Sequence, residues 1–437
     1  MNALKQIVKK QKEQQAVGIY SACSANKFVI EAVIEKAVED TSCVLIESTA
    51  NQSDQFGGYT GMKPLDFKNF VMDIAKQKGL PKEHLFLGGD HLGPLTWTNL
   101  NEKEAMQHAR DLIDCYVSAG FTKIHIDTSM KVADDDPHTR LPDEVIARRG
   151  AYLASVAEAS FEKLQATDSS AVHPIYIVGS EVPIPGGIQG DDEGMQVTRV
   201  EDFETTLLAF EKAFKDAGLH EAWTHVIGVV VQPGIEEKDA GCTEYDREKA
   251  KALMHAIKKY DNIVYEGHSS DYQTKEKLKE LVEDGVGILK VGPGLTFMAR
   301  EALFALAHIE EELFYGSDTK TSDFINVLEK TMLDNPGKWD KYYLGTDTQQ
   351  RLKRKYSFSD RSRYYMQYDV IEEAIDVLFK NLGKTEIPLY LLSQFMPMQY
   401  TKVRERKLKN NPIELVKDRV KYTLDEYLYA TNQKELL

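Results

Sequence analysis

The sequence predicts an α/β protein whose main body is a (β/α)8 TIM barrel, followed by a C-terminal helical extension. Apolar runs of strand length alternate with amphipathic helical segments for about 300 residues, and no linker interrupts them. Several of these runs end in a carboxylate or an imidazole, at the strand ends where parallel barrels hold their functional groups. With 437 residues, 42% of them hydrophobic, the chain can bury a core of this size.

The eight predicted strands are apolar segments bounded by glycine or polar residues. They cover residues 16–20, 43–47, 85–89, 122–127, 174–181, 226–232, 262–268 and 287–292. Between them, apolar residues recur at helical spacing in segments 26–39, 65–78, 102–119, 142–166, 200–217, 246–260 and 274–284. Eight such units in unbroken alternation favour a closed barrel over an open sheet.

The pattern changes after residue 295. We therefore predict a barrel over residues 1–295 and a helical extension over residues 296–437 that packs on it. Helical spacing is clear in segments 299–312, 323–333 and 369–382, whereas segment 389–400 is rich in aromatic residues and methionine without a clear period. We interpret the basic run Lys353-Arg354-Lys355 as a solvated surface.

The composition disfavours nucleic acid and membrane partners. Fifty-four basic and 69 acidic residues leave a net charge of −15, which repels other polyanions. No apolar segment approaches the roughly 18–20 residues of a membrane span, and the Lys/Gln-rich N-terminus lacks the apolar core of a signal peptide. The four cysteines show no C-x-x-C spacing, so we expect reduced thiols and a cytoplasmic location.

The ends of the predicted strands collect side chains that can bind a divalent cation. Because the strand ends of a barrel converge on one opening, residues distant in sequence can share one site there. An aspartate at a strand end also commonly caps the next helix, and this is the alternative for each residue taken singly. The candidate ligands are Glu47, Asp90, His91, Asp127, Glu181, Gln232, Glu266, His268 and Asp271.

Two segments could bind a phosphate group. The first combines Ser269 and Ser270 with the glycine-flanked amides around Gly292 and Gly294, after the last two strands, where barrels commonly hold phosphate. The second is the pair Arg361 and Arg363, whose guanidinium groups match phosphate oxygens. A surface ion-pair cluster with Asp360 is the alternative for that pair.

Residue His125 alternates with Asp127 on the fourth strand, so both side chains point the same way. It could line the site, although a structural role is the preferred interpretation.

Several motifs resemble a known family. The segments Gly89-Asp90-His91-Leu92-Gly93-Pro94, Glu181-Val182-Pro183-Ile184-Pro185-Gly186-Gly187, Glu266-Gly267-His268-Ser269-Ser270-Asp271-Tyr272-Gln273-Thr274 and Ser359-Asp360-Arg361-Ser362-Arg363-Tyr364-Tyr365 are similar to the non-catalytic, or Z-type, subunit of tagatose-bisphosphate aldolase. Some members of that family are ketose-6-phosphate 4-epimerases. More distantly, residues 15–300 resemble the metal-dependent class II ketose-bisphosphate aldolases, which are (β/α)8 barrels.

The aldolase resemblance implies roles for individual residues. Asp90 would be the proton-transferring acid, His91 a metal ligand and Glu181 an acid near the metal. A second ligand would be His268, which the spacing to Lys290 favours, although an ungapped match places Glu266 there. The remaining candidates for binding the sugar phosphate are Glu47, Asp271 and Lys290.

The sequence departs from the aldolase pattern at two strands. After the sixth strand a ligand histidine is expected and Gln232 stands in its place, so this glutamine is the candidate to complete the metal shell. After the eighth strand Gly292 replaces a substrate-binding asparagine. Ordinary bisphosphate cleavage by this chain alone is therefore disfavoured.

The resemblance thus implies a metal-assisted C4 epimerisation of tagatose 6-phosphate and fructose 6-phosphate by retro-aldol chemistry. Asp90 would carry one proton and Glu181 or Asp127 the other, with Zn, Mn, Co, Ni or Mg as the cation. The alternative is a non-catalytic subunit that stabilises a separate class II aldolase. We also expect a homo-oligomer.

Overall fold

The computed structural model describes residues 2–180 and 196–437 and confirms the (β/α)8 barrel. The closed sheet runs β1-β2-β3-β4-β5-β6-β9-β10 and back to β1, and every pairing is parallel. Its strands are β1 (Ile19–Cys23), β2 (Val44–Thr49), β3 (Leu85–Leu92), β4 (Lys123–Ile126), β5 (Ile175–Val178), β6 (Val226–Val231), β9 (Val264–Gly267) and β10 (Val286–Val291). Between β6 and β9, the two-residue strands β7 (Glu236–Glu237) and β8 (Cys242–Thr243) form a small antiparallel ladder.

The barrel helices are close to those expected from the apolar spacing. They are α2 (Lys27–Asp40), α3 (Pro64–Lys78), α4 (Glu102–Ser118), α5 (Asp143–Thr167), α6 (Val200–Asp216), α7 (His220–Trp223), α8 (Arg247–Ala256) and α9 (Lys275–Asp284). Side-chain caps begin several of them: Asn26, for example, accepts from the backbone N–H groups of Phe28 and Val29 at the start of α2. A short helix that the sequence did not predict, α1 (Lys5–Lys12), precedes β1.

Strand β3 continues through Asp90 and His91, which places both residues inside the barrel wall rather than in the loop after it. Two glycines in this strand make room for neighbouring side chains. A Cβ atom on Gly88 would lie 2.7 Å from Cγ of Glu47, and one on Gly89 would lie 2.6 Å from Leu92. Gly88 therefore lets the carboxylate of Glu47 lie against the β3 backbone.

A helical extension follows the barrel. The α10 helix (Pro293–Leu313) starts directly after β10, and α11 (Phe324–Asp334), α12 (Asp347–Tyr356), α13 (Asp369–Leu382), α14 (Leu389–Phe395), α15 (Pro397–Arg404) and α16 (Pro412–Thr431) come after it in the extension. With α10 itself, these make seven helices among the described residues, and single 3-10 turns such as Arg361–Tyr364 connect them. The α16 helix packs on α2, α9, α10 and strand β1, so the extension is joined directly to the barrel.

The interpretation of Lys353-Arg354-Lys355 as a solvated run is wrong for its central residue. Arg354 is buried, donates to the carboxylate of Glu329 and lies over the ring of Trp339. Segment 389–400, which shows no clear period, contains α14 and the first half of α15, and Met396 alone separates the two helices. A proline at the start of the second helix explains why no single period fits the segment.

Gln433, which follows helix α16, stabilises the start of the barrel. Its side chain accepts from the backbone N–H of Tyr20 and donates to the backbone carbonyl of Cys43. We expect Gln433→Ala to lower the free energy of unfolding by about 1–3 kcal/mol, because buried backbone groups on β1 and beside β2 lose their partners. Urea unfolding measures this. The control variant Lys434→Ala, at the exposed neighbouring position, should change stability by less than about 0.5 kcal/mol. If the two variants lose equal stability, the Gln433 side chain does not have this stabilising role.

Candidate active site

The barrel interior below the strand mouth contains a layer of charged side chains. The ammonium group of Lys123 lies 2.8 Å from Glu47 Oε1 and 2.8 Å from Glu266 Oε2, at ion-pair distance but without hydrogen-bond geometry. Lys290 Nζ lies 2.5 Å from Glu47 Oε2 and 3.0 Å from Asp90 Oδ2. All five side chains are buried, so each charge depends on its partners for stabilisation.

Three imidazoles lie above this layer. The ring centroids of His91, His125 and His268 are 5.0, 5.2 and 5.3 Å apart, pair by pair, which makes a nearly equilateral triangle. The rings come from β3, from β4 and from the residue after β9. Their convergence is a consequence of barrel closure, because β3 and β4 are neighbours and β9 faces them across the interior.

Each imidazole contacts a carboxylate through one ring nitrogen. His91 Nδ1 lies 2.8 Å from Asp127 Oδ2, and His125 Nδ1 lies 2.7 Å from Asp90 Oδ1. His268 Nε2 lies 3.1 Å from Glu266 Oε1. Because an ionised carboxylate can only accept, the contacts of His91 and His268 assign the proton to the contacting nitrogen and leave a lone pair on the other nitrogen of each ring. His125 Nδ1 also accepts from the backbone N–H of His91 at 3.2 Å, so the contact with Asp90 does not by itself assign the proton on this ring.

The arrangement fits a metal ion. Metal-binding histidines typically donate their second nitrogen to a carboxylate, and one nitrogen of each of the three rings here contacts a carboxylate. The Nε2 atom of His125 is buried and has no hydrogen-bond partner. Ligand atoms of Asp90, His125, Glu266 and His268 also lie within 4.8 Å of one another. His125, not a residue after β6, thus brings a third imidazole to the group.

The pKa shifts of Asp90, Asp127 and His268 agree with these assignments. Although burial lowers the pKa of His91, the charges of Asp90 and Asp127 raise it overall, so a cation would have to displace a proton from this ring. Burial alone would raise the pKa of Asp90, but His91, Lys290 and His125 together hold it well below its usual value. Asp127 has a pKa of about 2, because its contacts with His91 outweigh burial. Burial lowers the pKa of His268 to about 4, so this ring is neutral at physiological pH, as a metal ligand must be.

An open cavity adjoins these residues. Asp90, His91 and His268 form part of its lining, and the extension contributes Arg363 and Tyr364 from the far side. A barrel-mouth cavity closed by the C-terminal extension therefore contains the candidate site, which we call the central cavity.

Buried carboxyl groups form one wall of the central cavity. Glu237 and Asp271 line it, and Glu236 lies beside them with its side chain 3.3 Å from Ser269 Oγ. Burial, followed by the charge of Glu237, raises the pKa of Glu236 to about 8 and that of Asp271 to about 7. Burial also raises the pKa of Glu237, whose Oε2 has no hydrogen-bond partner.

The raised pKa of Glu236 predicts a pH effect on stability. Because its folded pKa exceeds its unfolded value, the group stabilises the fold at low pH, and this contribution is lost as the pH rises towards about 8. Glu236→Gln should therefore raise Tm relative to wild type by roughly 2 °C or more at pH 9, with a smaller difference at pH 5. Scanning calorimetry at both pH values tests this, with exposed Glu312→Gln as the control. If the Tm difference between Glu236→Gln and wild type is the same at pH 5 and pH 9, the pKa of Glu236 is not raised.

Two sequence candidates have other partners in the structure. The side-chain oxygen of Gln232 accepts from the backbone N–H groups of Gly234 and Ile235, so it stabilises the loop after β6. Asp127 holds His91 and Ser129, and it is not part of the cavity lining. Glu181 lies outside the described residues.

The proposed amides of the first phosphate segment are already bonded. The N–H groups of Gly292 and Gly294 both donate to Oδ1 of Asp271, at 3.0 and 2.7 Å. Ser270 Oγ donates to the carbonyl of Lys290 and is fully buried. Only Ser269 of the serine pair lines the cavity. A phosphate at this strand end would have to displace the Asp271 carboxylate.

The two arginines are separated by Tyr364. Arg363 donates to the hydroxyl of Tyr364 and lines the central cavity, whereas Arg361 lines a different pocket. Neither arginine forms an ion pair with a described carboxylate, because Asp360 contacts Thr296, Arg300 and Ser362 instead. The alternative of a surface ion-pair cluster is therefore wrong.

Sequence reasoning missed two residues that contribute to the site, Lys123 and Glu237. Lys123 and His125 occupy alternate positions of β4 and Asp127 follows its last residue, so this spacing of two is the signal that all three side chains point to the same side. Glu237 follows a glycine turn outside the barrel strands, and nothing in its sequence context marks it.

These observations define the class of protein: a closed (β/α)8 barrel with a charged strand mouth that holds three carboxylate-bound imidazoles. The chain belongs to the GatZ/KbaZ-like family, because the model of D-tagatose-1,6-bisphosphate aldolase subunit GatZ/KbaZ-like matches residues 4–432. This match confirms the resemblance to the Z-type subunits.

The chain is also similar to solved structures. A probable tagatose 6 phosphate kinase from Sinorhizobium meliloti 1021 is 42% identical, with a TM-score of 0.86 over 94% of this chain and 100% of that chain. A putative fructose-1,6-biphosphate aldolase from Coccidioides immitis is 16% identical. The match covers 86% of this chain and 99% of that chain, with a TM-score of 0.40. The fructose-bisphosphate aldolase of Campylobacter jejuni is 14% identical. The match covers 88% of this chain and 95% of that chain, with a TM-score of 0.44. TM-scores below 0.5 are too low to support a functional comparison.

Across residues 2–180 and 196–437, none of the helices combines the length and the apolar character needed to cross a bilayer.

Proposed function

We propose that this chain is a ketose-6-phosphate 4-epimerase, which interconverts tagatose 6-phosphate and fructose 6-phosphate. The observation that carries the proposal is the group of three imidazoles, each oriented by a carboxylate, beside ionised Asp90 in an open cavity. Family membership and the name of the 42% identical neighbour both support tagatose phosphates as the substrate class.

The residues present fit a divalent cation. His125 and His268 would hold it together with Asp90 and Glu266, because ligand atoms of these four residues lie within 4.8 Å of one another. His91, whose ring centroid lies 5.2 Å from that of His125 and 5.0 Å from that of His268, would be the third imidazole. A bound cation would supply Lewis-acid polarisation of the ketose carbonyl. Imidazole ligands favour Zn, Co or Ni among the candidate ions over Mg.

Asp90 is the proposed base. Its low pKa keeps it ionised, and it borders the cavity while Lys290 and His125 fix its orientation. It would take the proton of the C4 hydroxyl as the C4 carbonyl forms, and the electron pair of the breaking C3–C4 bond would remain on C3. After the aldehyde fragment turns, C3 attacks its opposite face and the configuration at C4 is inverted.

The new C4 alkoxide then needs a proton from a second group. Among the described residues, Glu237 is best suited, because it lines the same cavity and burial raises its pKa, which favours the protonated form. Asp127 is less suited, since it lies behind His91. Glu181 remains a second candidate for this role.

The phosphate of the substrate would be bound by Arg363 with help from Ser269. Arg363 is the cationic side chain that the extension adds to the cavity, opposite the imidazoles, and no described carboxylate neutralises it. This separation suits a six-carbon sugar whose reacting carbons lie near the imidazoles and whose phosphate lies at the rim.

The test is an NMR assay of the purified chain with fructose 6-phosphate. We expect tagatose 6-phosphate to accumulate, a chelator to stop the reaction and added divalent metal to restore it. His125→Ala should lose both bound metal and activity, whereas exposed His308→Ala should retain them. Turnover that persists in chelator would refute the metal-assisted mechanism.

The family description also supports a second candidate, an accessory subunit of a D-tagatose-1,6-bisphosphate aldolase. The same assay separates the two. If the chain is inactive with every divalent metal but raises the activity or stability of a catalytic aldolase subunit, the accessory role replaces the epimerase.

A further inference from the structure

A second pocket lies on the other side of Tyr364 from the central cavity. We call it the Arg361 pocket, after the buried arginine in its wall; Lys338, Lys341, Tyr342 and Thr96 also line it. Tyr59 and Tyr364, whose ring centroids are 5.1 Å apart, border both pockets and separate them. The Arg361 pocket is therefore adjacent to the candidate active site but distinct from it.

The Arg361 guanidinium is held in place without an acidic partner. Arg361 is 5% exposed, its Nε donates to the carbonyl of Lys338, and its guanidinium carbon lies 3.4 Å from the ring centroid of Tyr342. By contrast, buried Arg149 is paired with both Glu102 and Asp135. A buried guanidinium that lacks a counter-ion is costly unless an anion binds it.

Two buried donors in this pocket have no partner. The Nη1 atom of Arg361 and the hydroxyl of Thr96 are both removed from solvent and make no hydrogen bond. The ammonium groups of Lys338 and Lys341 add two further positive charges to the lining. One carboxylate, Asp54, also lines the pocket, but its Oδ1 accepts from the N–H groups of Phe56 and Gly58.

We propose that the Arg361 pocket is a second binding site, specific for a phosphate-type anion. Arg361 would supply a fixed donor, Thr96 a neutral donor and the two lysines a movable charge, a combination that suits the tetrahedral oxygens of a phosphate group. The anion is either free phosphate or the second phosphate of a doubly phosphorylated sugar. The site does not depend on metal binding or on epimerase activity.

Isothermal titration of the full chain with inorganic phosphate, in the presence of a chelator, tests the proposal. The double variant Lys338→Gln/Lys341→Gln should weaken phosphate binding about tenfold or more, because two charge-assisted contacts are lost. Both lysines are exposed, so the fold should be retained. The matched control, Lys380→Gln/Lys434→Gln, removes the same charge from exposed positions outside both pockets and should bind phosphate as wild type does.

Thr96→Val gives an independent readout, because it removes the unpartnered hydroxyl without altering charge. It should also weaken phosphate binding while leaving fructose 6-phosphate turnover unchanged. The proposal is overturned if wild type does not bind phosphate, if the lysine pair and its control bind equally, or if saturating fructose 6-phosphate abolishes phosphate binding.

Two further titrations identify the source of the anion. If the Lys338/Lys341 variant loses affinity for fructose 1,6-bisphosphate but not for fructose 6-phosphate, the site holds the second phosphate of a sugar. If its affinity for both sugars is unchanged while phosphate binding falls, the site holds free phosphate. Both results support the Arg361 pocket, and neither depends on catalysis.

Discussion

Replacing Asp90 by asparagine is expected to reduce kcat for fructose 6-phosphate epimerisation by about 1,000-fold. The substitution keeps the shape of the side chain but removes the group that accepts the C4 hydroxyl proton. KM should change little by comparison, because Asp90 would act on the reacting atoms rather than on the phosphate. Steady-state kinetics with the metal-loaded variant measures the effect.

The control for Asp90→Asn is the same chemical change at exposed Asp318, which should leave kcat unaltered. Metal content must be measured in parallel, because Asp90 also orients His125 through the 2.7 Å contact. A variant that binds metal and retains kcat within about tenfold of wild type would show that another group carries the proton.

Replacing Lys123 by methionine should lower the free energy of unfolding by about 3–5 kcal/mol. Lys123 is fully buried between Glu47 and Glu266, and methionine has a similar length without the charge. The variant leaves Glu266 without its ammonium partner inside the barrel, and an unpaired buried carboxylate is costly. Urea unfolding followed by circular dichroism measures the loss.

A second substitution tests whether charge, not packing, causes that loss. Adding Glu266→Gln to Lys123→Met removes the unpaired carboxylate and should recover part of the stability. Exposed Lys380→Met is the control and should differ from wild type by less than about 0.5 kcal/mol. If Lys123→Met is as stable as this control, the buried charge layer has no structural role.

The barrel could be predicted because each of its units carries a local signal. The alternation of apolar strands with amphipathic helices repeats eight times, and the strand and helix bounds differ from the structure by a few residues only. Helix α16 could not be predicted in this way. Its buried face includes Lys417 and Asp418, and Lys417 donates to Glu35 of helix α2 at 2.6 Å. A buried charge with a distant partner looks like a solvated surface in sequence.

The sequence predicts the site residues that lie at strand ends. It does not predict those whose role depends on a contact with a side chain distant in sequence. Asp90, His91 and His268 follow apolar runs, so their convergence follows from the barrel alone. The role of His125 depends on its contact with Asp90, and the inner charge layer depends on partners as far apart as Glu47 and Lys290. No periodicity reveals such pairs, because they exist only after the barrel has closed.

The most direct test of the account is the location of a bound cation. Crystals of the chain grown with Zn²⁺ should give an anomalous-difference peak between the rings of His91, His125 and His268, about 2.0–2.1 Å from a nitrogen of each ligating ring. In His125→Ala crystals this peak should disappear or weaken. A peak elsewhere in the barrel, or none at saturating Zn²⁺, would contradict the proposed metal site and the epimerase chemistry that depends on it.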